Sequence, residues 1–341
     1  MKGLGLIDKF IFFINSLFAL CLLLSLLVLY IPPQRFPLLS VLSLVVSPLL
    51  LVNVIFLLFW LLRVKRQLFL SLFVLLVCFT QFNSFYQFDF SKKTEEKENQ
   101  LKVMSYNVRI FNIYNWIKDD NLHTKIETLI KTDNPDVISF QEYHSTNKIS
   151  LSQFPYKYIK LQSEEPSFGQ AIYSKYKIID QGSLDFKDTG NNAIFVDILK
   201  GKDTLRVYNI HLESLQISPE DVDFKQEASQ RLLKRISNSF TTQQEQINVV
   251  LSHLEHIKHK TIITADLNNT AFSYVYRKLK GDKKDAFSRA GKGIGKTFTF
   301  KRIPLRIDFI LVDKAFTVTD FKTGTEMYSD HFPISTTLYW D

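Results

Sequence analysis

Two hydrophobic patterns divide this chain. Up to about Phe88 apolar residues run almost unbroken; from Ser91 onward they come in short alternating bursts between polar turns. Phe10–Tyr30 is an uncharged stretch of the length that crosses a bilayer core. A signal peptide would end in a small-residue cleavage site, but "IPPQRFP" follows instead. Leu38–Leu62 is a second apolar stretch, with Pro48 tolerable inside a membrane helix. Leu68 to about Phe82 is a third and shorter one, and the trailing "NSFYQF" suits the headgroup level. The pattern predicts three transmembrane helices in residues 1–88. A linker follows at 89–100, too charged to pack, and then a separate domain at 101–341.

Within that domain the pattern turns to strands. "LKVMSYNVRIF", "PDVISFQE", "TLRVYNIHLES", "KTIITADLNN", "LRIDFILVD" and "FPISTTLYW" are β-branched and aromatic runs bounded by turn residues. Between the first two, Leu122, Ile126, Leu129 and Ile130 recur at helical spacing and stop at Asn134–Pro135, which predicts a helix. "DFKQEASQRLLKRISNSF" predicts a second.

Charge gives the apolar region an orientation. Residues 1–90 hold six basic and two acidic residues, +4 of a total of +8. Lys2 and Lys9 precede the first stretch, and Arg63, Lys65 and Arg66 separate the second from the third. Only Arg35 marks the first connection. The excess of basic residues on the cytoplasmic side puts those five inside. Three spans then make the chain an integral cytoplasmic-membrane protein with its domain outside, periplasmic where there is an outer membrane; an interfacial third segment would leave the domain in the cytoplasm. Both cysteines, Cys21 and Cys78, lie in the apolar region, so the domain carries neither a disulfide nor a thiolate zinc site.

Each strand run carries polar residues at or near an end: Asn107, Glu142, His211, Asp266 with Asn268, Asp308, and the Asp330–His331 pair. Singly, each reads as a cap or a half-buried polar residue. Together they are three carboxylates suited to a hard cation (Glu142, Asp266, Asp330), two imidazoles, two amides and one further Asp. Strand ends gathered on one rim make a site. Oxygen ligands without cysteine favour Mg²⁺ or Mn²⁺, and the inventory suits metal-assisted hydrolysis of phosphate esters.

The order of motifs "SYNVR", "DVISFQE", "NIHLES", "TADLN", "TFTF…RIDFILV" and "SDHFPI" resembles the endonuclease/exonuclease/phosphatase superfamily, the deoxyribonuclease-I-like fold, over residues 101–340. The resemblance implies an α/β domain built as a four-layer α/β/β/α sandwich. It also implies hydrolysis of phosphodiesters or phosphomonoesters in nucleic acids, sphingomyelin, inositol phosphates or nucleotides. By motif it implies Glu142 as the principal Mg²⁺ ligand, Asn107 beside it on phosphate or a metal-bound water, and Asp330 completing the metal site. Asp266 would orient or deprotonate the attacking water, and Asn268 would hold the phosphate. His331, its ring fixed by Asp308, and His211 would contact the phosphoryl oxygens.

Two motifs stand outside that pattern. His253, His256 and His259 fall on one side of an expected helix, as a solvated face beside a basic loop. "AGKGIGKT" fails as a phosphate-binding loop because Ala290 takes the first glycine position and no strand precedes it. As a flexible loop it still brings Lys292 and Lys296 toward an anionic substrate. The functions that remain are a membrane-tethered nuclease, a phospholipid-headgroup or inositol-phosphate hydrolase of the same fold, and an inactive membrane-anchored binding module. A nuclease wants a basic, aromatic groove, and no Arg-rich one is evident. A lipid-headgroup enzyme gains from being held where its substrate is concentrated.

Overall fold

The computed structural model describes residues 4–79, 82–88, 99–146, 148–162, 167–216, 226–300 and 303–341. Most of the charged linker lies outside the described residues.

The N-terminal region holds α1 (Leu6–Val28), a 3₁₀ helix (Pro37–Leu44), α2 (Val46–Leu62), α3 (Leu68–Cys78) and the short α4 (Phe82–Phe85). Among the described residues only α1 is long and apolar enough by itself to cross a membrane, and a signal sequence has the same character. The expectation of three full spans is corrected here. The second apolar stretch is bent by 62° between the 3₁₀ helix and α2. Pro48 has no N–H for the carbonyl four residues back, so an α-helix cannot run unbroken through this point. The third helix has 11 residues, about 16 Å, well short of a bilayer core.

What sequence periodicity did not reveal is the polar glue between these helices. Asn15 donates to Ser71 Oγ at 2.8 Å and accepts from Trp60 Nε1 at 3.0 Å. Asn53 donates to the Leu49 and Phe18 carbonyls, and Arg63 pairs with Asp8 at 2.5 Å. In apolar surroundings such bonds join helices that have no hydrophobic reason to associate.

The domain runs β1 (Gln100–Asn107), α5 (Leu122–Asp133), β2 (Val137–Tyr143), β3 (Tyr156–Leu161), β4 (Gly169–Ser174), β5 (Lys177–Ser183), β6 (Asn192–Lys200), β7 (Asp203–His211), α6 (Gln226–Leu254), β8 (Lys260–Asp266), α7 (Tyr274–Lys280), β9 (Lys284–Asp285), α8 (Ala286–Ala290), β10 (Phe298–Phe300), β11 (Ile303–Leu305), β12 (Asp308–Val312), β13 (Thr317–Thr323) and β14 (Ile334–Tyr339). Two six-stranded sheets form, in the orders β13-β14-β1-β2-β4-β3 and β5-β6-β7-β8-β12-β9, with β10 and β11 as a separate hairpin. Alternate residues of each sheet divide between a shared central core and an outer one. Leu101, Val103, Val137, Val196, Val207, Ile262 and Ile310 fill the space between the sheets. Met104, Tyr106, Ile138 and Phe140 pack outward under Leu122, Ile126 and Ile130 of α5. Tyr208, Ile210, Ile263 and Phe309 pack outward with Ile247 and Val250 of α6 and Tyr274 and Val275 of α7. Burial on both faces explains strand runs that read as continuously apolar. The result is the expected four-layer α/β/β/α sandwich. Helix α5 ends where its sequence predicts, on Asn134 in the left-handed region (φ 49°) before Pro135.

One polar residue ties the sheets together. Asn209 of β7, fully buried, donates to the Phe140 and Ala171 carbonyls of the opposite sheet and accepts from Gln141 Nε2 at 2.7 Å. Asn209→Ala removes these three buried bonds and leaves the Gln141 amide with Ser105 Oγ. It should destabilise the full chain by about 2–4 kcal/mol, read from thermal melting in detergent.

Candidate active site

Strand polarity brings the polar ends to one rim. β1 and β2 run parallel, as do β7 and β8, so their C-terminal ends share an edge: Asn107 lies beside Gln141, and His211 beside Asp266. β12 runs antiparallel to β8 and begins at that edge, with Asp308 opposite Asp266. β14 begins there too, just after His331.

At the centre one side-chain amide joins two carboxylates from different sheets. Asn107 Nδ2 donates to Asp266 Oδ2 at 2.9 Å and to Glu142 Oε1 at 3.1 Å. Glu142 reaches this position through a bulge. Phe140 pairs with Ala171 and Tyr143 with Gly169, so Gln141 and Glu142 together face Gln170. The bulge sends Gln141 inward to Asn209 and leaves Glu142 half-exposed at the rim, with φ 48°. His211 Nε2 approaches from the side, 3.7 Å from Asp266 Oδ2 and 3.9 Å from Glu142 Oε1. It is buried with no hydrogen-bond partner among the described residues.

His331 faces the same carboxylate from the other flank. Its Nδ1 donates to Asp308 Oδ2 at 3.0 Å, and its Nε2 lies 3.7 Å from Asp266 Oδ2. Burial by itself would lower its pKa; the Asp308 and Asp266 carboxylates outweigh burial and hold it well above the ordinary histidine range. Burial pushes the Asp308 carboxyl up to about 6, against the opposing imidazolium. The paired carboxylates thus favour the protonated ring. Thr297 fixes the arrangement: its Oγ1 accepts from the Ile307 and Asp308 amides, and its carbonyl accepts from Phe332 N. The Phe298 ring lies 5.0 Å from the imidazole.

Asn268 sits in the left-handed region (φ 48°); its backbone N–H donates to Asp266 Oδ1 and its side chain to the Leu212 carbonyl. Asp330 is half-buried at the rim and pairs with Arg109 Nη1 at 3.4 Å. Arg109 is a residue that reading the sequence missed. It also stacks on Trp116 at 4.1 Å and opens a run of four residues with positive φ, Arg109–Asn112 (42°, 55°, 47°, 59°). The left-handed region costs about 1–2 kcal/mol per residue, so four in succession beside the site mark a held loop. Asn112 braces it by bonding both backbone groups of Ile117. No pattern of residue types signals this turn; only its place after "SYN" does.

The three spaced histidines do not share a helix face, because α6 ends at Leu254. His253 Nδ1 meets Tyr208 Oη at 2.7 Å, and His259 lies 3.8 Å from Asp197. Lys296 reaches the neighbourhood of the site by stacking on Phe332 at 4.2 Å.

Asp266, Asp308 and His331 form a buried acidic and histidine cluster, with ligand-capable atoms within 4.8 Å of one another. Within that cluster His331 Nδ1 is engaged by the Asp308 carboxylate. The fit to a hard dication lies in the oxygens. Glu142 and Asp266 converge with one amide between them, and no thiolate is near. That surplus of negative charge suits Mg²⁺ or Mn²⁺.

Residues 104–331 match the endonuclease/exonuclease/phosphatase family, and residues 8–85 match a domain of unknown function, DUF8431. No curated protein matches the chain. Solved structures share its fold. The human Nocturnin catalytic domain with bound sulfate is 14% identical, covering 74% of this chain and 97% of that one, with a TM-score of 0.54. An endonuclease/exonuclease/phosphatase from Bacteroides vulgatus is 18% identical, covering 71% and 99%, at 0.53. D. rerio TDP2 complexed with a single-strand DNA product is 18% identical, covering 70% and 98%, at 0.53. Members of the matched family are generally hydrolases of phosphoester bonds and typically use divalent metals. With two thirds of its length matched by that family's pattern and its strand ends gathered as described, this chain belongs to the endonuclease/exonuclease/phosphatase family.

Proposed function

We propose that the protein is a divalent-metal-dependent phosphoester hydrolase held at a membrane by its N-terminal region. The observation that carries this is the Asn107 amide spanning Glu142 and Asp266, with His211 and His331 on either side of Asp266. Glu142 would hold Mg²⁺ or Mn²⁺, with Asn107 and Asp330 beside it, and the ion would supply charge neutralisation at a phosphoryl oxygen. Asp266 keeps one carboxylate oxygen anchored by the Asn268 amide and uses the other to orient a water and take its proton. His331 offers Nε2–H to a non-bridging oxygen, where negative charge grows in the transition state. Asp308 keeps that ring charged and aimed. His211 Nε2 and the Asn268 side chain contribute to binding the phosphate. The test is activity of the purified chain with Mg²⁺ or Mn²⁺ on DNA, RNA, phospholipids and inositol phosphates; no turnover on any of them sinks the reading.

A lipid-headgroup substrate is favoured over nucleic acid by one feature. The segment following Asn268 docks on the apolar region: Asn269 Oδ1 accepts from Ser43 Oγ at 3.1 Å, Thr270 Oγ1 donates to the Ser43 carbonyl at 2.8 Å, and Phe272 packs with Ala19, Leu22 and Val46. A catalytic loop braced on the membrane region suits a substrate lying in the bilayer surface.

With Lys2 and Lys9 holding the N-terminus inside and α1 as the crossing helix, the domain would lie outside the cytoplasm. Alkaline phosphatase fused after about Gln100 should be active, and a fluorescent protein that folds only in the cytoplasm should be dark there. A bright cytoplasmic reporter reverses the assignment.

A further inference from the structure

Where the N-terminal helices meet the domain, three cavities adjoin. None of them is lined by the residues of the active site. The first, about 440 Å³, lies between the end of α1 at Leu29 and Tyr30 and the α7–α8 segment. Five cations line it: Arg277, Lys280, Lys283, Lys284 and Arg289. Its one acid, Asp285, is already taken by Arg306 at 3.0 Å and Tyr276 Oη at 2.6 Å. Lys283 pairs with Asp313, and Lys284 donates to the Lys314 and Phe316 carbonyls. That leaves Arg277, Lys280 and Arg289 with no carboxylate partner among the described residues. Arg277 is stacked on Tyr30 at 4.2 Å, so its charge is positioned at the end of α1.

Through Ser84 and Ala271 this cavity borders a second, of about 360 Å³, whose lining is mostly apolar. Through Leu51, Phe85 and Phe272 the second borders a third, of about 330 Å³, whose lining is apolar throughout. Ser47, Leu50, Leu51 and Val54 recur at three- and four-residue spacing, so the apolar groove follows one side of α2. A basic chamber at the end of a membrane-length helix, opening onto an apolar trough along the next helix, has the polarity of an anionic amphiphile.

We propose that this junction binds one anionic phospholipid, its phosphate in the basic chamber and an acyl chain along α2. The charge argues for an anionic headgroup, since each juxtamembrane cation contributes to holding one. The adjoining trough argues for a chain-bearing ligand over a free anion. Each of the three cavities is of the size of a ligand-binding site. Such a lipid would bridge α1, α2 and α7, and so join the helical region to the segment that leads back to Asp266 and Asn268. The inference does not depend on the proposed catalytic activity.

The test is retention of intact lipid by the full-length chain in detergent, read by native mass spectrometry. Phosphatidylglycerol is the probe and phosphatidylcholine the comparison. The wild-type chain should keep one phosphatidylglycerol in preference to phosphatidylcholine by roughly an order of magnitude. Lys280→Gln with Arg289→Gln, both at the surface, should erase that preference, as should Lys280→Gln in part. Leu51→Trp, which fills the trough, should weaken retention of phosphatidylglycerol without changing the folded spectrum. Equal retention of the two lipids by the wild type overturns the proposal, and so does retention indifferent to the lysine and arginine changes. If inorganic phosphate alone raises the melting temperature as much as phosphatidylglycerol does, and Leu51→Trp changes neither, the chamber is a free-anion site and the lipid assignment is wrong.

Discussion

Asp266→Asn and His331→Ala should each cut turnover by about 10²–10⁴-fold while the circular dichroism spectrum stays that of the folded chain. Asp266 touches Asn107, the Asn268 amide and both imidazoles, so its charge orders the whole rim. The asparagine keeps the shape and removes the base. His331→Ala removes the cation expected to meet the developing negative charge, and leaves Asp308 buried without its partner. A variant of either kind with near-wild-type turnover would mean that the water activator or the charge stabiliser is another residue. Asp308→Asn separates the two roles. The raised His331 pKa means that the imidazolium is present below that pKa and is lost as pH rises through it. The stability it contributes follows the same course: fully present below the unfolded histidine value and gone above the folded one. Without the Asp308 carboxylate, the alkaline limb of kcat/KM should move to lower pH. An unmoved limb would show that Asp308 does not set the charge on this ring.

Removing metal should have an effect of similar size. EDTA should abolish hydrolysis, and Mg²⁺ or Mn²⁺ should restore it. Glu142→Gln should raise the metal concentration needed for half-maximal activity and lower the maximal rate, because it deletes the charged oxygen that stands half-exposed beside Asn107. The bulge at Gln141–Glu142 is a backbone feature that glutamine keeps, so the fold should survive. Full activity in metal-free buffer would overturn the metal assignment and leave only acid–base chemistry by Asp266 and the histidines.

Much of the architecture was legible because it is periodic. Strands buried on both faces leave long β-branched runs, and the helix ending at Asn134–Pro135 announces itself by spacing and cap. The strands that escaped notice are β3, β4, β5, β6, β9, β10, β11 and β13. Several of these are short or carry half-exposed polar residues, as "YKYIKL" and "KIIDQGS" do, and so lack a clear two-residue alternation. The three-span expectation went astray for a related reason. Hydropathy counts apolar residues but does not register that a proline can divide a run, or that serines and a glutamine will turn the divided piece onto a neighbouring domain. Ser43 and Gln34 do this through Asn269, Thr270 and Gln244.

The sequence by itself determined the inventory: which residues stand at strand ends, that no cysteine joins them, and that an apolar region precedes a sandwich of two sheets. Strand-end chemistry is local, and so it is written in order along the chain. Only the tertiary structure decided how the inventory is wired. That Asn107 spans Glu142 and Asp266, that Arg109 meets Asp330, and that Arg277, Lys280 and Arg289 share a chamber with the end of α1 all depend on residues far apart in the chain. Their distances are set by sheet order, a bulge and a bent helix, and no spacing along the sequence encodes those.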